Sequence, residues 1–182
     1  LVGVSLTDED MENIGKLVNL TDIHLWDTGS GNIKPLASLK KLKKLFIAYI
    51  EISDITPLEK LTNLEELILK YTYNISDVSA LSGLTNLKYL DLEGNKITDI
   101  SPLSSLTNLK GLSLNKNPIT DISPVTSLTN LTSLWIIGCK LNDFKPIGEL
   151  KNLFDLEAAG CGMSNADYNY LIEQLPNLMV LM

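Results

Sequence analysis

LTNLKYLDLEGNKITDISPL at 84–103 is followed by LTNLKGLSLNKNPITDISPV at 106–125, the same phrase 22 residues on. Working outward in both directions, a leucine opens each unit at Leu17, Leu39, Leu61, Leu84, Leu106, Leu128 and Leu150. The spacing is 22 throughout except for one step of 23 between Leu61 and Leu84, and a step of 25 leads to Leu175. Within a unit two periods are mixed. Leu87, Leu90 and Leu92 end in the alternation of a short strand with one buried face. Ile97, Ile100 and Leu103 then fall three apart, as in a 3₁₀ turn. Thr56-Pro57, Ser101-Pro102 and Ser123-Pro124 read as a hydroxyl N-cap ahead of a proline at the first helical position.

One such unit cannot enclose its own leucines, so neighbours must stack around a continuous apolar column. The expected fold is an α/β right-handed solenoid, with a parallel sheet on the concave face and mostly 3₁₀ or turn structure on the convex side. About seven full repeats plus partial terminal units make residues 1–182 one domain. Thr7-Asp8-Glu9-Asp10 and Ser164-Asn165-Ala166-Asp167 read as N-caps with an acid three residues on, so the terminal units are expected to be helical near 8–16 and 165–175. Leu1 to Val4 and Val180 to Met182 look like strands lacking a neighbour, from which we expect a domain cut from a longer protein.

Composition narrows the partner class. Apolar residues make up 45% and charged residues 20% of the chain, with a formal net charge of −7. That balance argues against a nucleic-acid partner, since no basic stripe is available to release counterions. Nothing suggests a membrane span. The clustered Lys40, Lys41, Lys43 and Lys44 are followed one repeat later by Glu65 and Glu66, then by Lys88 and Lys110, a pattern expected to give ladder pairs between adjacent strands.

The tetrapeptide Leu-Thr-Asn-Leu at 61–64, 84–87, 106–109 and 128–131, joined to ITDISPL at 97–103 and its variants ISDITPL at 52–58 and ISDVSAL at 75–81, resembles the internalin-type leucine-rich repeat of bacterial surface proteins. The resemblance implies a horseshoe whose concave sheet binds proteins or glycans, in a secreted or cell-surface protein. It also implies an inward asparagine ladder, which this chain keeps only at Asn95 and Asn117. Thr28, Ile50, Thr72, Cys139 and Cys161 fill the equivalent slots. Because Ile50 cannot satisfy backbone groups, the turn after the second strand is expected to be irregular or hydrated. The unit 17–38 places Ser30, between Gly29 and Gly31, where an apolar residue belongs.

Candidate chemistry is sparse. Cys139 and Cys161 stand one repeat apart and read either as two free buried thiols or as a disulfide. They offer too few ligands for a metal, and no Gly-rich phosphate loop occurs, so no cofactor is expected. His24 is the only histidine and reads as a contact residue. Asp91 and Glu93 share the outward side of one strand, as a glycosidase pair would, but open solvation of both is expected to leave neither with a raised pKa. No enzyme is expected.

The functional signal lies in the outward slots. Successive units place Ser5, His24, Phe46, Ile68, Asp91, Ser113, Trp135 and Glu157 between the last two leucine-type positions. Trp26, Tyr49, Tyr71 and Tyr89 occupy neighbouring slots. Together with His24, Phe46 and Ile68 they are expected to form one aromatic patch over the N-terminal half of the concave face, with a smaller one at Trp135, Ile137 and Phe154. Exposed aromatic clusters mark interaction sites. The function read from them is non-enzymatic recognition of a protein or glycan by a monomeric domain. The alternatives are an assembly domain packed on its neighbours or an intracellular regulatory scaffold.

Overall fold

In the computed structural model, which describes residues 1–181, the repeats stack as one solenoid. Helix α1 spans Asp8–Gly15 and α2 spans Asn165–Gln174. Between and beyond them run β1 Asp22–Trp26, β2 Lys44–Ala48, β3 Glu66–Lys70, β4 Tyr89–Asp91, β5 Gly111–Ser113, β6 Ser133–Trp135, β7 Asp155–Glu157 and β8 Met179–Leu181. All eight are parallel, in sequence order, in one sheet. Register follows the repeat: Leu45 faces Leu67, Leu67 faces Leu90, and Leu90 faces Leu112. Of the segments expected to be strands at the two ends, Val2 makes a lone parallel bridge to Trp26, and Val180 and Leu181 belong to β8. Met182 lies outside the described residues.

The leucine and isoleucine columns form the core and are almost wholly excluded from water, Leu61, Leu84, Leu106 and Ile97 among them. Burying each such side chain contributes about 1.5–3 kcal/mol. Six 3₁₀ segments return the chain behind the sheet, at 34–38, 56–58, 79–81, 101–105, 123–127 and 145–149. Their caps differ from the expectation. The serine and threonine hydroxyls before the prolines do not cap these segments. In the last five the aspartate two residues upstream of the start does so instead: Asp54, Asp77, Asp99, Asp121 and Asp143 accept from the N–H of residues 56, 79, 101, 123 and 145 at 2.8–2.9 Å, and in the first Asn32 accepts from Lys34 N–H at 3.3 Å. A carboxylate reaches its own backbone two residues on in an Asx turn, and a short hydroxyl competes poorly with that charge. The terminal helices do carry full capping boxes, Thr7 with Asp10 and Ser164 with Asp167.

The residue that leaves each strand turns into left-handed backbone in register. Asp27, Tyr49, Tyr71, Gly94, Lys116, Gly138 and Gly160 all have φ between 49° and 75°. This column aims the next residue inward, where the ladder sits. Asn95 donates to the carbonyls of Leu69 and Leu92, both at 2.9 Å, and accepts from the Thr72 hydroxyl at 2.6 Å. Asn117 repeats the pattern with Leu92 and Leu114 and accepts from Ile97 N–H. Cys139 and Cys161 are free thiols that continue it, donating to the carbonyls of Leu114 and Ile136. Burial pushes the Cys139 thiol up to about 12.

The turn after β2 is not irregular. Tyr49 keeps the left-handed φ of its column, and the N–H groups of Tyr49 and Ile52 reach the carbonyls of Lys70 and Thr72. The deficit left by Ile50 shows one unit earlier, where the buried Thr28 hydroxyl has no partner among the described residues. Thr72 has Asn95 as its neighbour, whereas Thr28 has Ile50. Ser30 is explained by the cap: its hydroxyl donates to Asp8 of α1 at 2.7 Å.

An orphaned buried hydroxyl costs about 1–3 kcal/mol, so Thr28→Val should raise stability by about 1 kcal/mol in urea unfolding. Asn95→Leu, which strips two carbonyls and a hydroxyl of their partner, should lower it by roughly 2–4 kcal/mol.

Candidate interaction surface

The outward slot is a true column. His24, Phe46, Ile68, Asp91, Ser113, Trp135 and Glu157 face one another in sequence across the sheet. The sheet is widest beneath its N-terminal members, because β1, β2 and β3 have five residues whereas β4 to β7 have three. The extra residues carry Trp26, Ala48 and Lys70 to the C-terminal edge, just before the left-handed column.

Rings gather there. His24 stacks on Phe46 at 5.5 Å between centroids, and Phe46 on Trp26 at 5.7 Å. Along the edge, Trp26 meets Tyr49 at 5.2 Å and Tyr49 stacks on Tyr71 at 5.0 Å. The strand spacing of about 4.8 Å brings rings on successive strands to stacking distance, and each pair contributes about 0.5–1.5 kcal/mol beyond its buried area. The faces of the rings therefore lie against one another, while their edges meet solvent.

Two sequence expectations change. Tyr89 does not join this group. It occupies the column of Glu66 and Gly111, at the opposite end of the strand from Trp26, and packs edge-on against Trp135 at 6.0 Å. Gly111 makes room, since a Cβ there would lie 2.8 Å from the Tyr89 ring and 3.4 Å from Trp135. Trp135 is accordingly half-covered by Tyr89, while Phe154 is exposed on its own residue before β7.

The acid pair is not openly solvated. Asp91 and Glu93 are 4% and 8% exposed. Lys70 reaches Glu93 at 2.8 Å and Asp91 at 3.4 Å, and Lys116 reaches Glu93 at 2.9 Å. Tyr71 donates its hydroxyl hydrogen bond to Glu93 and accepts one from Lys116. Burial alone would raise the Glu93 carboxyl, but hydrogen bonds from Lys70, Tyr71 and Lys116 outweigh it and hold the pKa at about 2. Burial likewise opposes the Lys70 ammonium, and its bond to Glu93 and the charge of Asp91 lift it to about 12. A carboxylate held so firmly ionised cannot serve as a general acid near neutrality. The cluster is a clamp: it fixes Tyr71, whose ring covers Gly94 so closely that a Cβ there would lie 2.4 Å from it.

Sequence reading missed this clamp, because it depends on lysines reaching across from neighbouring turns. Tyr73, within the one-residue expansion at 71–74 but outside the outward slots read from the sequence, is 46% exposed and stands 6.2 Å from Tyr71. The lysine and glutamate alternation does form ladder pairs, Lys44 with Glu66 and Lys88 with Glu65. Among the described residues no cluster fits a metal ion, and no helix is long and apolar enough to cross a membrane.

A parallel sheet with short returns and an inward ladder from Thr72 to Cys161 defines a repeat domain of the protein-interaction class. The family model of leucine-rich repeats in two copies matches residues 40–83, 62–105 and 107–153, and the chain belongs to the leucine-rich-repeat family. Within that family it is of the bacterial internalin type. It is 30% identical to internalin C2 of Listeria monocytogenes over 96% of this chain and 83% of that one, with a TM-score of 0.71. It is also 30% identical to a second Listeria monocytogenes internalin, InlF, over 97% of this chain and 68% of that one, with a TM-score of 0.63. A leucine-rich-repeat protein of Leptospira interrogans is 25% identical over 94% of this chain and 51% of its own, with a TM-score of 0.82. No curated protein matches the chain.

The clamp predicts an acid limb in the stability curve. Glu93 binds a proton less readily folded, at about 2, than at its ordinary 4.5. On acidification through that window the unfolded chain takes up the proton first, so stability present above about pH 4.5 is lost toward pH 2. Urea unfolding across the window should show Glu93→Gln with a flatter acid limb than wild type.

Proposed function

We infer that the domain recognises a macromolecular partner, without catalysis, through the aromatic residues at the N-terminal half of its concave sheet. The observation that carries this reading is the contiguous ring cluster of His24, Trp26, Phe46, Tyr49 and Tyr71 on the first three strands and the turns that follow them, with Trp26 and Tyr49 42% and 40% exposed. Polar side chains would serve an ordinary wet surface in those slots, and aromatic anchors are where binding energy concentrates. His24, Phe46, Ile68 and Tyr71 supply the rest of the N-terminal surface, and Tyr89 with Trp135 a second contact further along. The mechanism is rigid display: stacking and the Glu93 clamp fix the rings before a partner arrives, so little ordering entropy is lost on binding. We place the domain, as a monomer, in a secreted or cell-surface protein, in keeping with the internalins it resembles.

A partner identified by crosslinking to the wild-type domain provides the test. Phe46→Ala and Tyr71→Ala should each weaken its binding by tenfold or more, on the scale of hot-spot truncations of about 2 kcal/mol. Trp135→Ala should weaken it less. Unchanged affinity in a folded Phe46→Ala/Tyr71→Ala double variant would show that the surface lies elsewhere.

A further inference from the structure

The C-terminal edge of the sheet carries more exposed aromatic surface than the sheet face. Trp26, Tyr49 and Tyr73 are each at least 40% exposed, whereas Phe46, Ile68 and Tyr89 are half-buried. Tyr49 and Tyr73 hold φ of 58° and 64°. That region costs a residue with a Cβ about 1–2 kcal/mol; later turns of the column of Tyr49 place glycine there at Gly94, Gly138 and Gly160, with Lys116 between, while Tyr73 lies two residues beyond that column. A bulky side chain kept on strained backbone points to a use for it.

Charge gives that use a direction. Asp27 adjoins Trp26, and Glu51 adjoins Ile52, which bridges to Tyr73. Both acids are exposed, and among the described residues neither enters an ion pair. Of the lysines at this edge, Lys70 and Lys116 are neutralised by Asp91 and Glu93, whereas Lys96 donates only to the neutral Asn74 side-chain carbonyl and keeps its charge. Two exposed unpaired acids against one unneutralised lysine leave the turns that carry these rings net negative, on a chain of net charge −7.

We propose that this edge determines specificity and takes a basic segment of a partner protein, with arginine or lysine side chains pairing to Asp27 and Glu51 and laying their methylene stems along Trp26, Tyr49 and Tyr73. The proposal rests on the aromatic-surface reading above and adds the chemistry of the partner. Guanidinium groups pair carboxylates in a bidentate fashion, and the aliphatic stems of arginine and lysine pack along exposed ring edges, which suits this combination of side chains. A neutral glycan needs a free ring face to lie on, and here stacking at 5.0–5.7 Å covers the faces.

The test is selection of random twelve-residue peptides (an arbitrary length of about 12, long enough for several anchors) displayed on phage, panned on the intact domain and measured against purified variants. Selected peptides should be rich in arginine and lysine. Asp27→Asn/Glu51→Gln should weaken them about tenfold and reduce the salt dependence of binding, with melting curves unchanged because both acids are exposed and unpaired. Tyr49→Ala/Tyr73→Ala should weaken them as well. Peptides without basic residues, or basic peptides that bind the acid double variant as tightly as wild type, would overturn the proposal. If such peptides still lose affinity on Phe46→Ala/Tyr71→Ala, the aromatic surface stands and only the basic partner falls. Loss in neither variant removes both. Failure to select any peptide, with binding to a neutral glycan array instead, also overturns it.

Discussion

In-register parallel pairing is the constraint on which everything else depends. Each turn satisfies its strand's N–H and C=O groups with the turns on either side, so any residue type placed at one point of the repeat is stacked into a column. Leucine columns become the core, aspartates become a row of Asx caps, and inward polar residues become a ladder. The same rule acts on side chains that the fold does not need. Aromatic residues in nearby outward slots of successive turns are delivered to stacking distance by the backbone, and no special loop is required to build a ring cluster.

Much of this was legible in the sequence for that reason. The period gave the strands, their order and their register, and the column His24, Phe46, Ile68, Asp91 is as the leucine spacing implies. The capping boxes of both terminal helices were equally plain. What failed needed the third dimension along a strand rather than across strands. Tyr89 on β4 and Trp26 on β1 both point outward, as the spacing shows, yet they stand at opposite ends of their strands, and Gly111 lets Tyr89 turn to Trp135 instead. Asp91 and Glu93 looked solvated because outward slots usually are. Long lysines from β3 and from the turn after β5 fold over them, and no periodicity reports that reach.

The left-handed column was visible and unread. Gly94, Gly138 and Gly160 recur at the repeat spacing, and aligning the earlier turns to them puts Tyr49 and Tyr71 at positions that favour glycine. The contrast separates two halves of the molecule. Of the C-terminal turns, all but that of Lys116 place glycine in this column, and their strands are short. The N-terminal turns keep longer strands and strained tyrosines, and hold one of them with the Glu93 clamp. Regular backbone supplies the rigidity, while departures from the repeat supply the recognition surface.

Tyr73→Gly separates these contributions most directly. The ring of Tyr73 makes a single aromatic contact, at 6.2 Å to Tyr71. Relief of left-handed strain, about 1–2 kcal/mol, should match or exceed the loss of that contact, about 0.5–1.5 kcal/mol. If the strained tyrosines serve binding, the unfolding midpoint of Tyr73→Gly will hold or rise while affinity for the partner falls. A clear drop in the midpoint with affinity unchanged would mean that the tyrosine serves the fold, and would contradict the account.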